Sequence, residues 1–486
     1  MSSYFTDLAQ QYIGGQWRPG RGSWDIIDFN PYDGEKLASI TTATVDEVDE
    51  AYRAAEAAQK KWAATNPYAR RTVFEKAVRV IEDREAEITE VIIAELGGTR
   101  LKAAFELHLT KELLRECMQL ALRPEGKILP SPVDGKENRL YREPVGVVGV
   151  ISPFNFPLFL SIKSVAPALA LGNAVVLKPH QNTPIVGGSL IAKIFEDAGL
   201  PGGLLNVLIT DIAEIGDAFL EHPVPKVISF TGSDAVGRHV ATVCASLFKR
   251  SVLELGGNSA LVVLDDADID YAVDAAVFSR YVHQGQVCMA ANRVLVDRSI
   301  VEEFTGKFVA KVKSLKVGDP RDPQTVIGPV INSAQAKAVS GAVDQAIAEG
   351  ATALVHGATT DNLVAPSVLT DVPADSALLR QEVFGPVVFL IPFDGEEDAV
   401  RIANDTPYGL SGAVHTGDIE RGVAFARQID TGMFHVNDGT IHDEPLVPFG
   451  GEKHSGIGRL NGEMTIEAFT TQKWISVQHG RSSFPF

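Results

Sequence analysis

The sequence predicts an α/β protein with two parallel-sheet domains and a small β arm. Its 486 residues exceed one ordinary hydrophobic core, which favours two or three domains. Short β-branched runs alternate with helix-like segments over residues 145–257 and again over residues 258–450, a pattern typical of parallel strands joined by crossover helices. Residues 123–145 are rich in proline, glycine and charge, which indicates an exposed excursion from the core.

The chain before the first sheet has a helical pattern. Residues 44–120 carry apolar side chains at helical spacing. Thr44 and Glu47 match a capping box, in which each side chain accepts a hydrogen bond from the backbone N–H of the other residue. The sequence therefore predicts a long helix that begins just after Thr44.

The uncharged stretch of residues 145–162 is long enough to be a membrane-span candidate. Pro153, Asn155 and Pro157 stand together at its middle, and closely spaced prolines interrupt a helix. We interpret this stretch as a buried strand that runs into a turn, and we expect no membrane association.

The β-branched runs place several polar segments at one edge of the first sheet. Ligands of parallel sheets bind at the carboxyl ends of the strands. The segments expected at that edge are ISPFNFP, KPHQNTP, FTGSDAVG and ELGGN. In the second region, the predicted strands are NSALVVLDD, NRVLVD, ATALVHG and FGPVVFLIPF. The segment TTQKWISVQHGRSSFPF fits a strand and tail that pair with another element or subunit.

Composition argues against several classes of function. The formal net charge of −18 argues against nucleic acid as a partner, because phosphate binding needs clustered Lys and Arg. Eleven scattered histidines and three widely spaced cysteines predict neither a metal site nor a disulfide framework. The segment MSSYFTDLAQQYIGGQW lacks the basic start and apolar core of a signal peptide. We therefore expect a cytoplasmic protein in a reducing compartment.

Cys288 has an unusual setting for a free cysteine. It lies in HQGQVCMAANR, among small and polar residues, whereas most free cysteines are buried among apolar side chains. A thiolate in an accessible polar loop is suited to nucleophilic catalysis. A single loop cysteine is more often structural, so the catalytic interpretation depends on which other reactive residues lie near it.

Two other residues are candidates to act together with Cys288. Glu254, in LELGGN, ends a predicted strand, and burial there would raise its pKa toward that of a general base. Asn155, in SPFNFP, lies in a rigid apolar turn where an amide N–H is suited to stabilise an oxyanion. The alternatives are a surface glutamate at a turn and an asparagine that stabilises only its own turn.

Two segments are suited to bind a ligand with hydroxyl or phosphate groups. Lys178, in VVLKP, ends a buried strand, where its charge needs a partner. FTGSDAVG, residues 230–237, is a glycine-containing turn from strand to helix, and amide groups at a helix N-terminus can approach phosphate. It is not the GxGxxG dinucleotide fingerprint, so the signal is weak when taken alone.

Taken together, nine motifs in order resemble the aldehyde dehydrogenase superfamily over nearly the whole chain. They are SPFNFP, VVLKP, FTGSDAVG, LELGGN, GQVC, VGDPRDPQTVIGPVI, QEVFGPV, NDTPYGLSGAV and PFGGEKHSGIGR. SPFNFP together with HVNDGTIHDEPLVPFGG resembles the branch that oxidises aromatic aldehydes such as benzaldehyde and vanillin.

The resemblance implies a role for each matching residue. Cys288 is implied as the nucleophile, Glu254 as the general base and Asn155 as the oxyanion donor. An aldehyde would pass through a thiohemiacetal and a thioester to the carboxylic acid. The residues implied to bind a nicotinamide cofactor are Ser152, Pro153, Phe154, Lys178, Gln181, Thr231, Gly232, Ser233, Val236, Leu255, Gly256, Glu382 and Phe384. The implied walls of the substrate pocket, unless they are ordinary core residues, are Phe156, Phe159, Val282 and Phe449.

Two positions bear on specificity. Gln181 stands where many members of the family carry Glu, and a neutral side chain does not repel a 2′-phosphate, so we expect NAD use with tolerance of NADP. Lys163 is unusual if it faces the pocket, where it would contact a ring hydroxyl; otherwise it points elsewhere. An aliphatic semialdehyde substrate stays an alternative. A CoA-acylating reaction and a non-catalytic role are further alternatives, which the intact Glu254 and Cys288 disfavour.

The resemblance also implies domain boundaries and an assembly. Residues 1–122 and 146–256 would form a Rossmann-type NAD(P)-binding domain, and residues 257–454 a catalytic domain. Residues 123–145 and 455–486 would form an oligomerisation arm and C-terminal tail. We expect a homodimer or homotetramer, because the unpaired backbone groups of an exposed β arm bind other chains unless a partner subunit covers them.

Overall fold

The computed structural model describes residues 4–486, so residues 1–3 of the first predicted domain lie outside the described residues. Its α-helices are α1 Tyr4–Asp7, α2 Val45–Ala63, α3 Pro67–Asp83, α4 Glu85–Leu96, α5 Arg100–Leu120, α6 Pro157–Ala170, α7 Leu190–Asp197, α8 Ile212–Ile215, α9 Ala218–Glu221, α10 Asp234–Ser246, α11 Ile269–Tyr281, α12 Val301–Lys313, α13 Ser333–Ala348, α14 Glu396–Asn404, α15 Ile419–Ala426 and α16 Gly462–Phe469.

The β-strands of the same residues form two large sheets and several small ones. They are β1 Gln11–Ile13, β2 Gln16–Arg18, β3 Asp25–Phe29, β4 Lys36–Thr41, β5 Lys127–Leu129, β6 Lys136–Pro144, β7 Val147–Ile151, β8 Ala174–Lys178, β9 Leu205–Val207, β10 Val227–Thr231, β11 Arg250–Glu254, β12 Ser259–Val263, β13 Ala291–Asp297, β14 Thr352–Val355, β15 Thr359–Thr360, β16 Leu363–Val364, β17 Ser367–Thr370, β18 Val387–Phe393, β19 Tyr408–Gly409, β20 Ala413–His415, β21 His435–Val436, β22 Glu452–Lys453, β23 Gly456–Ile457 and β24 Thr470–Gln478.

The first large sheet has the strand order β2-β1-β9-β8-β7-β10-β11-β23. Its five central strands, β7 to β11, are parallel, and they lie within residues 145–257, where the sequence predicts alternating strands and helices. At one end of the sheet β1 pairs antiparallel with β9 and with the edge strand β2, and at the other end the edge strand β23 pairs antiparallel with β11. The predicted α/β fold with a parallel sheet is therefore confirmed.

The second large sheet has the order β14-β17-β18-β13-β12-β20-β21. Its strands are parallel except β14, which runs antiparallel to β17. All four strands predicted in this region are present. The sequence analysis did not single out β17, β20 and β21, which have only two to four residues each, too few to show a period of two.

The predicted arm is a sheet of order β24-β6-β5. The nine residues of β24 pair antiparallel with β6, from Thr470 opposite Pro144 to Gln478 opposite Lys136. Within residues 455–486, which the sequence assigns to the arm and tail, β23 pairs with β11 of the first sheet through Ile457 opposite Leu253. The arm strand itself begins at Thr470.

The helices begin where local chemistry satisfies their first N–H groups. The predicted capping box of Thr44 and Glu47 is present at the start of α2. In the uncharged stretch, β7 leads into a turn as predicted, and α6 then begins at Pro157, where a missing N–H costs nothing. Glu106 of α5 accepts hydrogen bonds from the N–H groups of Leu158 and Phe159, at 2.9 and 3.2 Å. No helix within residues 4–486 combines the length and the hydropathy that crossing a membrane requires.

Candidate active site

The carboxyl ends of four parallel strands meet at one edge of the first sheet. Ile151 of β7 is in register with Lys178 of β8 and with Phe230 of β10, and Thr231 is in register with Glu254 of β11. Because neighbouring strands end level, the segments that follow them share this edge. All four polar segments expected there from the sequence begin at these positions.

A cavity lies beside this edge and encloses about 560 Å³ of empty space, part of it open to solvent. Most of its walls are apolar, and it brings together Asn155, Glu254 and Cys288. Its lining residues are Phe105, Leu109, Asn155, Phe156, Phe159, Leu160, Lys163, Thr231, Glu254, Val287, Cys288, Met289, Ile441, Asp443 and Phe449.

Three of the four pocket walls expected from the sequence line the cavity, namely Phe156, Phe159 and Phe449. Val282, also expected as a wall, is not among the residues that line this cavity. Val282 is buried in the hydrophobic core and begins the short turn Val282–Gly285, six residues before Cys288. Thr231, expected beside the cofactor, also lines this cavity.

The segment before Cys288 has a constrained backbone. His283, Gln284 and Gly285 have φ angles of 51°, 56° and 72°, a region that non-glycine residues rarely adopt. Side chains hold it in place: Gln284 donates to the Pro329 carbonyl at 2.7 Å. Such a strained backbone persists only where surrounding contacts hold it in one conformation. The loop therefore keeps Cys288 in a fixed position.

Two glycines bring the end of β11 against this loop. A Cβ atom on Gly257 would lie 2.2 Å from the carbonyl oxygen of Cys288, and one on Gly256 would lie 2.6 Å from Oε2 of Glu382. Gly257 has no room for a side chain because the contact is with backbone, and a side chain at Gly256 would displace the Glu382 carboxylate. The glycine pair after Glu254 therefore permits the close approach of the three segments that carry Glu254, Cys288 and Glu382.

The Asn155 amide faces the nucleophile loop. Its Nδ2 donates to the Gln286 carbonyl at 3.0 Å, which leaves its second N–H for another acceptor. Among the described residues, the backbone N–H of Cys288 donates to no protein acceptor. These two donors are of the kind that stabilise an oxyanion formed on the carbon bonded to Cys288 sulfur.

Burial shifts the proton equilibria of both reactive groups. Desolvation, together with the nearby Glu382 and Glu254 carboxylates, raises the pKa of the half-buried Cys288 thiol to about 12. Desolvation raises the pKa of Glu254 to about 8, with Lys163 opposing the shift. Both Glu254 oxygens are buried without a hydrogen-bond partner among residues 4–486. An unpaired buried carboxylate with such a pKa is suited to take up a proton near neutral pH.

The groups expected to hold a cofactor include several without protein partners. Within the described part of the chain, the Lys178 ammonium forms no hydrogen bond or ion pair, and burial lowers its pKa. The buried Ser152 hydroxyl is likewise unpaired. Gln181, next to this edge, is exposed. Unpaired polar atoms at a sheet edge fit a ligand that carries hydroxyl and phosphate groups.

The turn into α10 approaches the same edge. A Cβ atom on Gly232 would lie 2.5 Å from the Phe230 ring, so only glycine fits this turn. Ser233 caps α10 without a side-chain hydrogen bond, which leaves the first helical N–H groups available to an anion. Leu255 packs on Gly237 of α10, and Val236 is exposed.

Glu382 and Phe384 reach this edge from the second sheet's side of the molecule. The rings of Phe154 and Phe384 lie edge to face with centroids 5.7 Å apart. Glu382 accepts a hydrogen bond from the Gly257 N–H at 3.1 Å, and desolvation raises its pKa to about 8. Phe154 and Phe384, two of the expected cofactor-binding residues that are far apart in sequence, are therefore in contact.

A charged pair is buried in the cavity wall. Lys163 of α6 forms an ion pair with Asp443, and both side chains are almost fully buried. The Lys163 ammonium lies 3.3 Å from the centroid of the Phe449 ring, and Asp443 also accepts from Asn461 at 2.8 Å. Lys163 is recognisable in the sequence as an unusual pocket residue, whereas Asp443 is not, because a single acid in HDEP carries no pattern. Phe105 and Leu109 were missed because, on α5, they share the helical spacing of ordinary core residues.

No group of three or more His, Cys, Asp or Glu residues in the described part of the chain is arranged to hold a metal ion.

Comparison with known proteins identifies the family of the chain. The sequence model of the aldehyde dehydrogenase family matches residues 17–475. The benzaldehyde dehydrogenase YfmT of Bacillus subtilis strain 168 is 60% identical over 482 residues, which cover 99% of each chain.

Two solved structures share the fold. An NAD-dependent benzaldehyde dehydrogenase from Corynebacterium glutamicum has a TM-score of 0.90 and 44% identity, over 98% of each chain. A salicylaldehyde dehydrogenase from Pseudomonas putida G7, complexed with salicylaldehyde, has a TM-score of 0.95 and 35% identity, over 98% of this chain and 99% of that one.

Proposed function

Because the chain belongs to the aldehyde dehydrogenase family, we propose that it oxidises aromatic aldehydes such as benzaldehyde to carboxylic acids, with NAD as the hydride acceptor. The observation that carries this proposal is the aromatic-walled cavity that holds Cys288, Glu254 and Asn155 together. The similarity to benzaldehyde dehydrogenases supports the same substrate class.

Cys288 is the proposed nucleophile. Its sulfur adds to the aldehyde carbon, and the thiol gives its proton to solvent water at the open side of the cavity as the bond forms, because burial disfavours a free thiolate. The carbonyl oxygen becomes the oxyanion of a thiohemiacetal. The Asn155 amide and the Cys288 backbone N–H then stabilise that oxyanion.

Glu254 is the proposed base for the second half of the reaction. Departure of a hydride from the thiohemiacetal leaves a thioester on Cys288. Glu254 accepts a proton from water, and the resulting hydroxide attacks the thioester carbon. The C–S bond then breaks to release the acid, and Glu254 returns its proton to the departing sulfur to restore the thiol. A CoA-acylating reaction needs no such base, so a buried unpaired Glu254 favours hydrolysis.

The cofactor residues proposed from the sequence fit a pyridine dinucleotide. Lys178 and Ser152 supply unpaired polar groups for a ribose, and the turn of Thr231, Gly232 and Ser233 supplies N–H groups for a phosphate. Glu382 and Phe384 would hold the nicotinamide half. When bound, the cofactor supplies the acceptor for the hydride. The exposed, neutral Gln181 is expected to permit NADP as well.

The cavity favours a neutral aromatic substrate over an anionic semialdehyde. Its ring-bearing walls, Phe105, Phe156, Phe159 and Phe449, are suited to contact a benzene ring. Lys163 is the one basic residue among the described lining residues, and Asp443 already neutralises it. A substrate carboxylate would therefore face the acidic Glu254 without a free cation to balance it.

We also propose that the protein is a homodimer or homotetramer assembled through its β arm. Large apolar side chains of the arm sheet are exposed, among them Ile128 at 74% and Trp474 at 68%. An exposed sheet of this kind pairs with a partner unless it is otherwise protected. A cytoplasmic location stays a prediction from the cysteine usage.

The test is an activity assay with the full chain. We expect reduced nicotinamide to form, followed by its absorbance, when protein, NAD and benzaldehyde are mixed. A panel of aromatic and aliphatic aldehydes compared by kcat/KM should rank benzaldehyde above succinate semialdehyde. Activity that is greater with the semialdehyde, or that requires CoA, would contradict the proposal. The Cys288→Ala variant is the matched control and should be inactive.

A further inference from the structure

We propose that the buried Lys163–Asp443 pair binds a hydroxyl group on the aromatic ring of the substrate, so that the enzyme prefers hydroxylated benzaldehydes. This inference rests on the proposed function and extends it to the ring substituent. Both residues line the cavity that holds Cys288, and the side chains of Lys163 and Asp443 are 2% and 4% exposed.

The pair retains hydrogen-bonding capacity that the protein does not use. Lys163 has three N–H donors; one serves Asp443, and the ammonium also lies on the face of the Phe449 ring, which leaves a donor for a ligand. Asp443 accepts from Lys163 through Oδ2 and from Asn461 through Oδ1, and each carboxylate oxygen has a further lone pair. A hydroxyl group both accepts and donates, so it can contact the two partners at once.

The helix that carries Lys163 sets its distance from the reacting end of the cavity. Phe156, Phe159 and Lys163 follow one another at spacings of three and four residues along the start of α6, so they share one face. Seven residues correspond to about 10 Å along a helix axis. Asn155 precedes this face, so Lys163 lies about two helical turns along the wall from the oxyanion donor, and close enough to Glu254 to oppose its raised pKa, where a ring substituent would reach.

The charge balance selects a neutral polar substituent. An ammonium and a carboxylate that already neutralise each other give little net attraction to an ion, but each forms strong hydrogen bonds. A methyl group at the same ring position would cover both partners without replacing their hydrogen bonds. Loss of a hydrogen bond to a charged partner typically changes affinity by about 10-fold or more.

The test compares pairs of aldehydes that differ only in hydroxyl against methyl, at the 3 and 4 positions of the ring. For each enzyme we take the ratio of kcat/KM for the hydroxylated aldehyde to that for its methyl counterpart. The decisive variant carries both Lys163→Met and Asp443→Leu, which removes the pair without leaving an unpaired buried charge. Since the same two aldehydes are compared in each enzyme, their intrinsic reactivity cancels between enzymes.

At one ring position or both, we expect the ratio to fall about 10-fold or more from wild type to the double variant. The exposed Lys337→Met variant is the matched control and should keep the wild-type ratio. A double variant that oxidises benzaldehyde with an unchanged ratio at both positions would overturn the inference and leave the proposed function intact. Failure of wild-type protein to oxidise any aromatic aldehyde would instead refute the proposed function.

A binding measurement on wild-type protein keeps the inference testable if the double variant does not fold. Benzamides resemble the aldehydes but carry no reactive aldehyde group. We expect 3- or 4-hydroxybenzamide to inhibit benzaldehyde oxidation competitively at about 10-fold lower concentration than its methyl counterpart. Equal or weaker inhibition by both hydroxylated benzamides would contradict a hydroxyl-binding pair.

Discussion

Gly257 and the carbonyl oxygen of Cys288 are in such close contact that a Cβ atom on the glycine would lie 2.2 Å from that oxygen. The contact joins the segment after β11, which carries Glu254, to the loop that carries the nucleophile. It gives a local physical reason for the glycine pair in LELGGN, and it makes the geometry of the site sensitive to one methyl group.

Gly257→Ala should therefore displace the nucleophile loop. We expect kcat with benzaldehyde to fall by about 100-fold, because a misplacement of about 1 Å at reacting groups has that effect. The matched control is Gly341→Ala, on the exposed face of α13, where a Cβ atom meets nothing within 4 Å. It should leave kcat unchanged and stabilise the protein by about 0.5–1 kcal/mol. Wild-type activity in Gly257→Ala would show that the contact does not position Cys288.

Asn155→Ala should lower kcat by about 100- to 1,000-fold, because it removes one of two oxyanion donors. The second donor, the backbone N–H of Cys288, is unaffected, so some activity should persist. Steady-state kinetics with benzaldehyde measure the effect, and thermal unfolding shows whether the fold is retained. A folded variant with the wild-type rate would exclude Asn155 from this role.

Glu254→Gln should separate the two halves of the reaction. A buried amide is no base, so we expect one equivalent of reduced nicotinamide per site and then slow turnover, measured by stopped-flow absorbance. In the wild type, the rate limited by hydrolysis should rise with pH through about 8, where Glu254 loses its proton. The exposed Glu302→Gln variant should retain the wild-type profile. Steady turnover in Glu254→Gln would contradict the assignment.

The same raised pKa predicts how stability depends on pH. Protonated Glu254 is favoured in the folded protein, so its contribution is fully present below the unfolded value of 4.5 and is lost as pH rises through about 8. Glu254→Gln has no such titration. Thermal unfolding of both proteins from pH 5 to 9 should show the variant gaining stability relative to wild type as pH rises. A constant difference would mean that Glu254 does not titrate abnormally.

Gln181→Glu should restrict the choice of cofactor. The exposed Gln181 carries no charge, and a carboxylate there would repel the 2′-phosphate of NADP. We expect kcat/KM for NADP to fall by about 10-fold or more relative to that for NAD. Gln119→Glu, exposed on α5, controls for the added charge itself. If wild-type protein shows no activity with NADP, then Gln181 does not confer tolerance of NADP.

The sequence predicted those parts of the site that follow long β-branched strands. Lys178 and Glu254 end such strands, so the edge they share followed from the rule for parallel sheets. Asp443 could not be predicted in the same way, because it lies in an irregular segment and its partner Lys163 is 280 positions away. The left-handed backbone of His283 and Gln284, next to Val282, likewise has no signal in the sequence pattern, because both are non-glycine residues.

The arm sheet has a consequence for the order of events during biosynthesis. Its strand β24 pairs with β6 along Thr470–Gln478, beyond every residue that lines the cavity. The ribosome must therefore translate past Gln478 before the arm is complete, whereas both large sheets consist of residues made earlier. Subunits that join through this arm would associate only after synthesis of their catalytic machinery, which protects nascent chains from premature pairing.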